Sequence, residues 1–243
     1  MSDFETSPLS ADREAWVRNL RRVNEEQENA LAADYDNNWS EIEDTHRAFV
    51  ERFLTVLPIN GRVLDAACGT GKYFSMVLAS GRSLLGVDHA GAYLATAKAK
   101  FPRVLTEKRD LQELPYRDEF DGVMCVDAME FVPPEEWPVV LNRFRRALRQ
   151  GGWLYLTVEL APESRVRAVN EEARKFGLPV VEGEWAGQIL EPPDDYYHYY
   201  PSISQVRKWI ADAGFVIEEE AEGPWHDQYA YHHVRARLEP LPD

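Results

Sequence analysis

From Arg62 onward the chain alternates short apolar runs with helix-length segments, and that alternation confines it to a small group of folds. Apolar runs of strand length separated by helical patterns read as βαβ units, which set parallel strands in one sheet with helices on its faces. "RVLDAA" reads as a first strand and "KYFSMVLAS" as its helix, then "SLLGVD" at 83–88 as a second strand followed by the helix "AGAYLATAKAK". "RVLTEK" is a weaker third strand and "FDGVMCVDA" a fourth. "PPEEWPVVLNRFRRALRQ" is a helix with prolines in its first turn and a stop at Gly151-Gly152, and "WLYLTVEL" is a fifth strand. Ser202, with Gln205 three residues on, has capping-box spacing at the head of a helix that ends at Gly214. "FVIEEEAE" and "QYAYHHVRARL" close the pattern as two strands whose alternation leaves one face solvated.

The expected organisation is an N-terminal helical lid over 1–60, a ligand-binding core over 61–160, a substrate-covering insertion over 161–201, read as largely irregular, and completion of the sheet over 202–243. The lid and insertion are the segments expected to wall a site, because ligands of open parallel sheets collect at the carboxyl ends of the strands.

A formal net charge of −15 sets the chain as a whole against a phosphate backbone, so nucleic acid is excluded as an expected partner. The basic run "RFRRALR" reads as a solvated helix face. No stretch approaches the roughly 18 apolar residues of a membrane span. The N-terminus shows neither a basic nor an apolar export region, so a cytoplasmic protein with no membrane partner is expected. Cys68 and Cys125 both fall at the ends of apolar strands and read as free thiols. The histidines and carboxylates lack metal-ligand spacings, so no metal is expected.

The turn after the first strand, "DAACGTGKYF", carries the functional signal. A dinucleotide turn ends on a third glycine, and here Phe74 stands in its place. Asp65 beside the turn would repel a pyrophosphate but attract an ammonium or a sulfonium. Asp88, at the end of the second strand, stands where an acid accepts hydrogen bonds from ribose hydroxyls, and Asp110 after the third strand could accept from an adenine amine. Adenosine joined to a cationic tail bearing an amine describes S-adenosylmethionine.

With these motifs in order, residues 35–237 resemble the class I S-adenosylmethionine-dependent methyltransferases, small-molecule type. The resemblance implies an α/β, Rossmann-like doubly wound, mostly parallel seven-stranded sheet. It further implies that Asp65, Ala67, Gly69, Thr70 and Gly71 hold the methionine part, with alanine at a position where many members have glycine. Asp88 is the implied ribose acid with His89 over the adenine, Asp110 and Leu111 the adenine pair, and Val126 a cofactor contact after the fourth strand. "YDNNW" is similar to the aromatic entry segment of the family, which assigns Tyr35 and Trp39 to the cofactor.

The activity implied is transfer of a methyl group to an O or N nucleophile of a small molecule, a specialised metabolite, with S-adenosylhomocysteine as the product of the cofactor. A non-methylating reaction on the same cofactor (elimination, cyclisation or decarboxylation) stays open, since function resides in the site and not in the fold. His198, Glu130 and Glu159 are the candidate catalytic residues, and Tyr196, Tyr197, Tyr199 and Tyr200 of "YYHYYP" the candidate substrate wall. A monomer or homodimer is expected.

Overall fold

The computed structural model describes residues 10–187 and 196–239. Nine strands and eight α-helices are placed among them: β1 (Arg62–Ala66), β2 (Ser83–Asp88), β3 (Leu105–Lys108), β4 (Phe120–Cys125), β5 (Leu148–Leu160), β6 (Glu184–Gly187), β7 (Tyr196–Tyr199), β8 (Phe215–Glu222) and β9 (Ala230–Leu238). The helices are α1 (Ala11–Leu31), α2 (Tyr35–Trp39), α3 (Asp44–Val56), α4 (Phe74–Ala79), α5 (Gly91–Lys100), α6 (Trp137–Ala147), α7 (Glu163–Lys175) and α8 (Ile203–Asp212).

Seven strands form one sheet in the order β3-β2-β1-β4-β5-β9-β8. The first five strands of that order are parallel, and β9 runs antiparallel to both β5 and β8. The strand order reverses between β1 and β4, where such sheets open a ligand crevice. Alternating side chains feed two cores. Leu64 and Ala66 join Val123, Trp137, Phe144, Leu154 and Ile210 on one face, and Val63 joins Phe49, Phe53, Phe74, Met124 and Tyr155 on the other. α3 covers the second face through Phe49, Val50, Phe53 and Leu54, spaced to fall on one side of a helix, with Leu57 just past its end.

The 161–201 segment is more ordered than its composition suggests. α7 buries only Val166, Asn170 and Ala173, a stripe too narrow to stand out among seven charged neighbours, and β6 pairs antiparallel with β7. α6 stops at Ala147, and Leu148–Gly152 already belongs to β5. Ser202 caps α8 as its spacing suggests, accepting from the Gln205 amide at 3.2 Å.

α1 spans about 32 Å at 1.5 Å per residue and is bound along its length to elements at the carboxyl edge of the sheet. Arg13 bridges Glu135 at 2.7 Å and Glu184 at 2.6 Å, Arg21 pairs with Glu136, Glu25 with Lys108, Glu28 with His89, and Asn29 Oδ1 accepts from the Ala92 amide at 2.8 Å. These contacts make α1 a roof over the crevice. No helix among the described residues is long and apolar enough to cross a membrane.

Gly86 on β2 lets the glycine turn and its helix pack against the sheet. A Cβ there would lie 2.5 Å from Phe74 Cζ and 2.9 Å from Cys68 Sγ. Overpacking of this kind costs about 1–3 kcal/mol, so Gly86→Val is expected to lower the thermal midpoint by about 3–10 °C. An unchanged midpoint in a melting experiment would contradict this packing.

Candidate functional site

β1 delivers Asp65 to the crevice fully buried, 1% exposed, with Oδ2 lacking a hydrogen-bond partner among the described residues. Burial, with the charge of Asp88 adding to it, pushes the Asp65 carboxyl up to about 8. The chain then turns through Ala67 (φ 63°), Gly69 (φ 52°) and Gly71 (φ 82°). Only glycine takes such angles freely, so alanine at 67 holds a left-handed conformation at a cost of about 1–2 kcal/mol. A Cβ added at Gly69 would meet nothing within 4 Å, so the turn presents bare backbone to open space.

Asp88 fastens this turn to β2. Its Oδ2 accepts from the Gly69 amide and its Oδ1 from the Ala90 amide, both at 2.8 Å. Burial and the charge of Glu28 raise its carboxyl to about 6 against those two amides and His89. His89 is raised to about 9, because its contact with Glu28 outweighs burial. Glu28, Asp88 and His89 bring three ligand-type atoms within 4.8 Å of one another, a closeness that the His89–Glu28 pair accounts for. Asp110 caps the short 3-10 turn Leu111–Glu113, accepting from the Gln112 amide at 3.3 Å, and Leu111 packs on the core.

Tyr35 sits over Tyr93, with ring centroids 4.8 Å apart, and Trp39 leans on it at 5.2 Å while remaining 47% exposed. The Tyr35 hydroxyl holds its proton far more tightly than usual, through burial and the surrounding charges of Asp127, Glu28, Asp88 and Glu130. Thr70 donates to Asp36 Oδ1 at 2.5 Å, which ties the same helix, α2, to the glycine turn. Val126 is buried directly after β4.

Glu130, Glu159 and His198, far apart in sequence, converge. Glu130 is 3% exposed, its Oε2 has no hydrogen-bond partner among the described residues, and burial together with Glu159 and Asp127 pushes its carboxyl well up. His198 Nδ1 lies 2.6 Å from Glu159 Oε2 and 3.0 Å from the Tyr200 hydroxyl, and its ring meets Phe131 edge-on at 4.7 Å. β7 splits the tyrosines between two faces, as strand geometry requires. Tyr197 is buried, donates to Glu184 at 2.6 Å and packs on Trp16; Tyr199 packs against Trp137 and Trp209. Tyr200 also meets His198 ring to ring, 5.7 Å between centroids. The Tyr196 side chain lies outside the described residues.

A group without a sequence assignment stands between these clusters. Asp127 follows Val126 with φ 53°, and its Oδ1 accepts from His46 Nε2 at 2.9 Å and from Thr157 Oγ1 at 3.1 Å. Lys72 Nζ is 3.9 Å from its Oδ2. Burial works to raise the Asp127 carboxyl, but His46, Lys72 and Thr157 overcome it and hold the group below its ordinary value. Its one sequence signal is an acid directly after the apolar end of β4.

Residues 63–152, from β1 through the fifth-strand turn, match the family described as "Methyltransferase domain". That match spans the core of the sheet, and it is to S-adenosylmethionine-dependent methyltransferases that the chain is similar. It is similar to the ubiquinone biosynthesis O-methyltransferase of Pseudomonas paraeruginosa, 25% identical over 165 residues, 65% of each chain. The corresponding protein of Pseudomonas aeruginosa is 24% identical over 65% of this chain and 66% of its own. The chain thus spans just under two thirds of the length of these relatives. Two solved structures share its fold. A methyltransferase from Methanosarcina mazei has a TM-score of 0.68 at 16% identity over 82% of this chain and 99% of its own. The 1,6-didemethyltoxoflavin-N1-methyltransferase of Burkholderia thailandensis, bound to S-adenosylhomocysteine, has a TM-score of 0.65 at 17% identity over 98% of both chains.

S-adenosylmethionine is the family's cofactor, and the residues present suit it. The orphaned Asp65 oxygen needs a donor, the open Gly69 backbone admits close approach, and the raised carboxyls need a cation. Because the folded-state Asp65 carboxyl lies above its ordinary 3.8, its contribution to stability is complete below that value and is lost as pH rises through about 8. Asp65→Asn without cofactor is therefore expected to lose less thermal stability than wild type between pH 5 and pH 8.5. Parallel losses in the two melting series would contradict the buried, protonated state.

Proposed function

We propose that the chain is an S-adenosylmethionine-dependent methyltransferase acting on an O or N nucleophile of a small molecule, a specialised metabolite. The observation that carries this reading is the buried Asp65 with an unmade hydrogen bond beside an open glycine turn, joined to Asp88. A small acceptor is favoured because α1 is pinned across the strand ends through Arg13, Arg21, Glu25 and Glu28. The net charge of −15 argues against nucleic acid, and we place the protein in the cytoplasm as a monomer or homodimer. The relatives' O-methyltransferase names favour oxygen as the atom modified.

S-adenosylmethionine, when bound, supplies a methyl group already activated by its sulfonium, so the residues have only to align the acceptor, exclude water and take a proton. Tyr35, Trp39, Asp65, Ala67, Gly69, Thr70, Gly71 and Val126 would hold its methionine end. Asp88, His89, Asp110 and Leu111 would hold the adenosine. His198 and Glu159 form the pair that takes the acceptor's proton, and Glu130, keeping its own proton, donates a hydrogen bond to the acceptor or to Glu159. Tyr200 lines the acceptor side; Tyr197 and Tyr199 act by holding β7, and with it His198, in place.

Release of S-adenosylhomocysteine from S-adenosylmethionine, assayed against a panel of phenols, alcohols and amines, tests the activity. His198→Ala and Glu130→Gln are each expected to lower kcat by about 10²–10⁴, with S-adenosylhomocysteine affinity within threefold of wild type. Turnover at wild-type rates in both variants would remove these residues from the mechanism. Consumption of the cofactor without a methylated product would replace methyl transfer by another reaction.

A further inference from the structure

The geometry points to Asp127, backed by His46 and Thr157, as a second acceptor-binding group, so that the site selects a small molecule with two neighbouring hydrogen-bond donors, one of them on the atom that is methylated. This rests on the methyltransferase reading above and adds the chemical class of the acceptor.

Three observations carry it. Asp127 is the second residue beyond β4, at the strand-order reversal, and it holds a left-handed backbone angle that ordinary residues avoid. Its carboxylate is half committed. Oδ1 is filled by His46 Nε2 and Thr157 Oγ1, and the Asp127 amide donates back to Thr157 Oγ1 at 2.7 Å. Oδ2 makes no hydrogen bond among the described residues, its nearest cation is Lys72 Nζ at 3.9 Å, and the side chain remains 22% exposed. A carboxylate whose rotamer is fixed through one oxygen while the other stays open is built to accept from something outside the protein.

The neighbouring strand supplies the second acceptor. Thr157 and Glu159 are two residues apart on β5 and project from one face, Thr157 is bonded to Asp127, and the buried Glu130 carboxyl feels the charges of both Asp127 and Glu159, so the two carboxylates are neighbours on adjacent strands. Asp127 is held as the ionised member of the set, whereas Glu130 keeps its proton, and acids pushed apart in this way take different roles. The nucleophile faces His198 and Glu159, and the second donor of the acceptor faces Asp127. His46 acts through Asp127 and is a positioning residue.

The test uses catechol, with two adjacent hydroxyls, and phenol, with one, as probes titrated by calorimetry into the full-length protein saturated with S-adenosylhomocysteine. Wild type is expected to bind catechol at least tenfold more tightly than phenol. Asp127→Asn is expected to bring the two probes within about threefold, because only the second hydroxyl loses its partner. His46→Ala should lose the same discrimination, and His46→Gln, which restores a donor to Asp127, should recover most of it. A merely structural role would weaken both probes together in all variants. Equal binding of the two probes by wild type, no catechol binding, or discrimination retained in Asp127→Asn would overturn the inference. Failure of wild type to bind S-adenosylhomocysteine at all would overturn the methyltransferase reading first.

Discussion

The junction at Asp88 is the constraint on which the site is built. One carboxylate joins the end of β2, the glycine turn through the Gly69 amide and the start of α5 through the Ala90 amide. The Cys68 amide adds a bond to the Val87 carbonyl at 2.9 Å, so the turn is held by side chain and backbone together. Two backbone donors satisfied by one buried acid fix the turn in the left-handed angles that Ala67, Gly69 and Gly71 display. The same carboxylate retains lone pairs for a ligand. Packing and binding therefore share one group, and Gly86 keeps the space behind it clear for Phe74 and Cys68.

Around that junction the crevice concentrates acids that cannot all ionise. Asp65 and Glu130 are buried with an oxygen lacking a partner, and both hold their protons; Asp127 has His46, Lys72 and Thr157 and stays charged. The difference comes from local donors and not from depth alone, since all three lie at the ends of adjacent strands. Buried acids of this kind offer interactions that a cationic ligand can complete. α1 closes over it with charged pairs, which tie the ends of β2 and β3, at His89 and Lys108, to the segment after β4 and to β6, at Glu135 and Glu184.

Local signals and long-range ones were not equally legible in the sequence. β1, β2, β4 and β5 could be read because each is an apolar run ended by a turn residue, and Asp65, Gly69, Gly71 and Asp88 because they are tied to those ends at short spacing. The seven-stranded sheet follows from the same pattern. The meeting of His46 with Asp127 joins residues 81 apart, and that of Thr157 with Asp127 residues 30 apart, so neither leaves a spacing to detect. α7 escaped because its buried stripe is only three residues wide, and β6–β7 because two four-residue strands are short on any pattern. The tyrosines of "YYHYYP" looked like one wall, but a strand divides alternate residues between faces, which sends Tyr197 and Tyr199 into the core and leaves His198 and Tyr200 toward Glu159.

The central claim is that a cationic cofactor completes the buried acids of this crevice, and its most direct measurement is proton exchange on binding. Calorimetric titration of S-adenosylmethionine near pH 7, repeated in buffers of different ionisation enthalpy, counts the protons released or taken up. Because Asp65 is held near 8 without ligand, binding should ionise it and release protons, and Asp65→Asn should abolish most of that release. Tight binding of S-adenosylmethionine with no dependence on buffer would contradict the account.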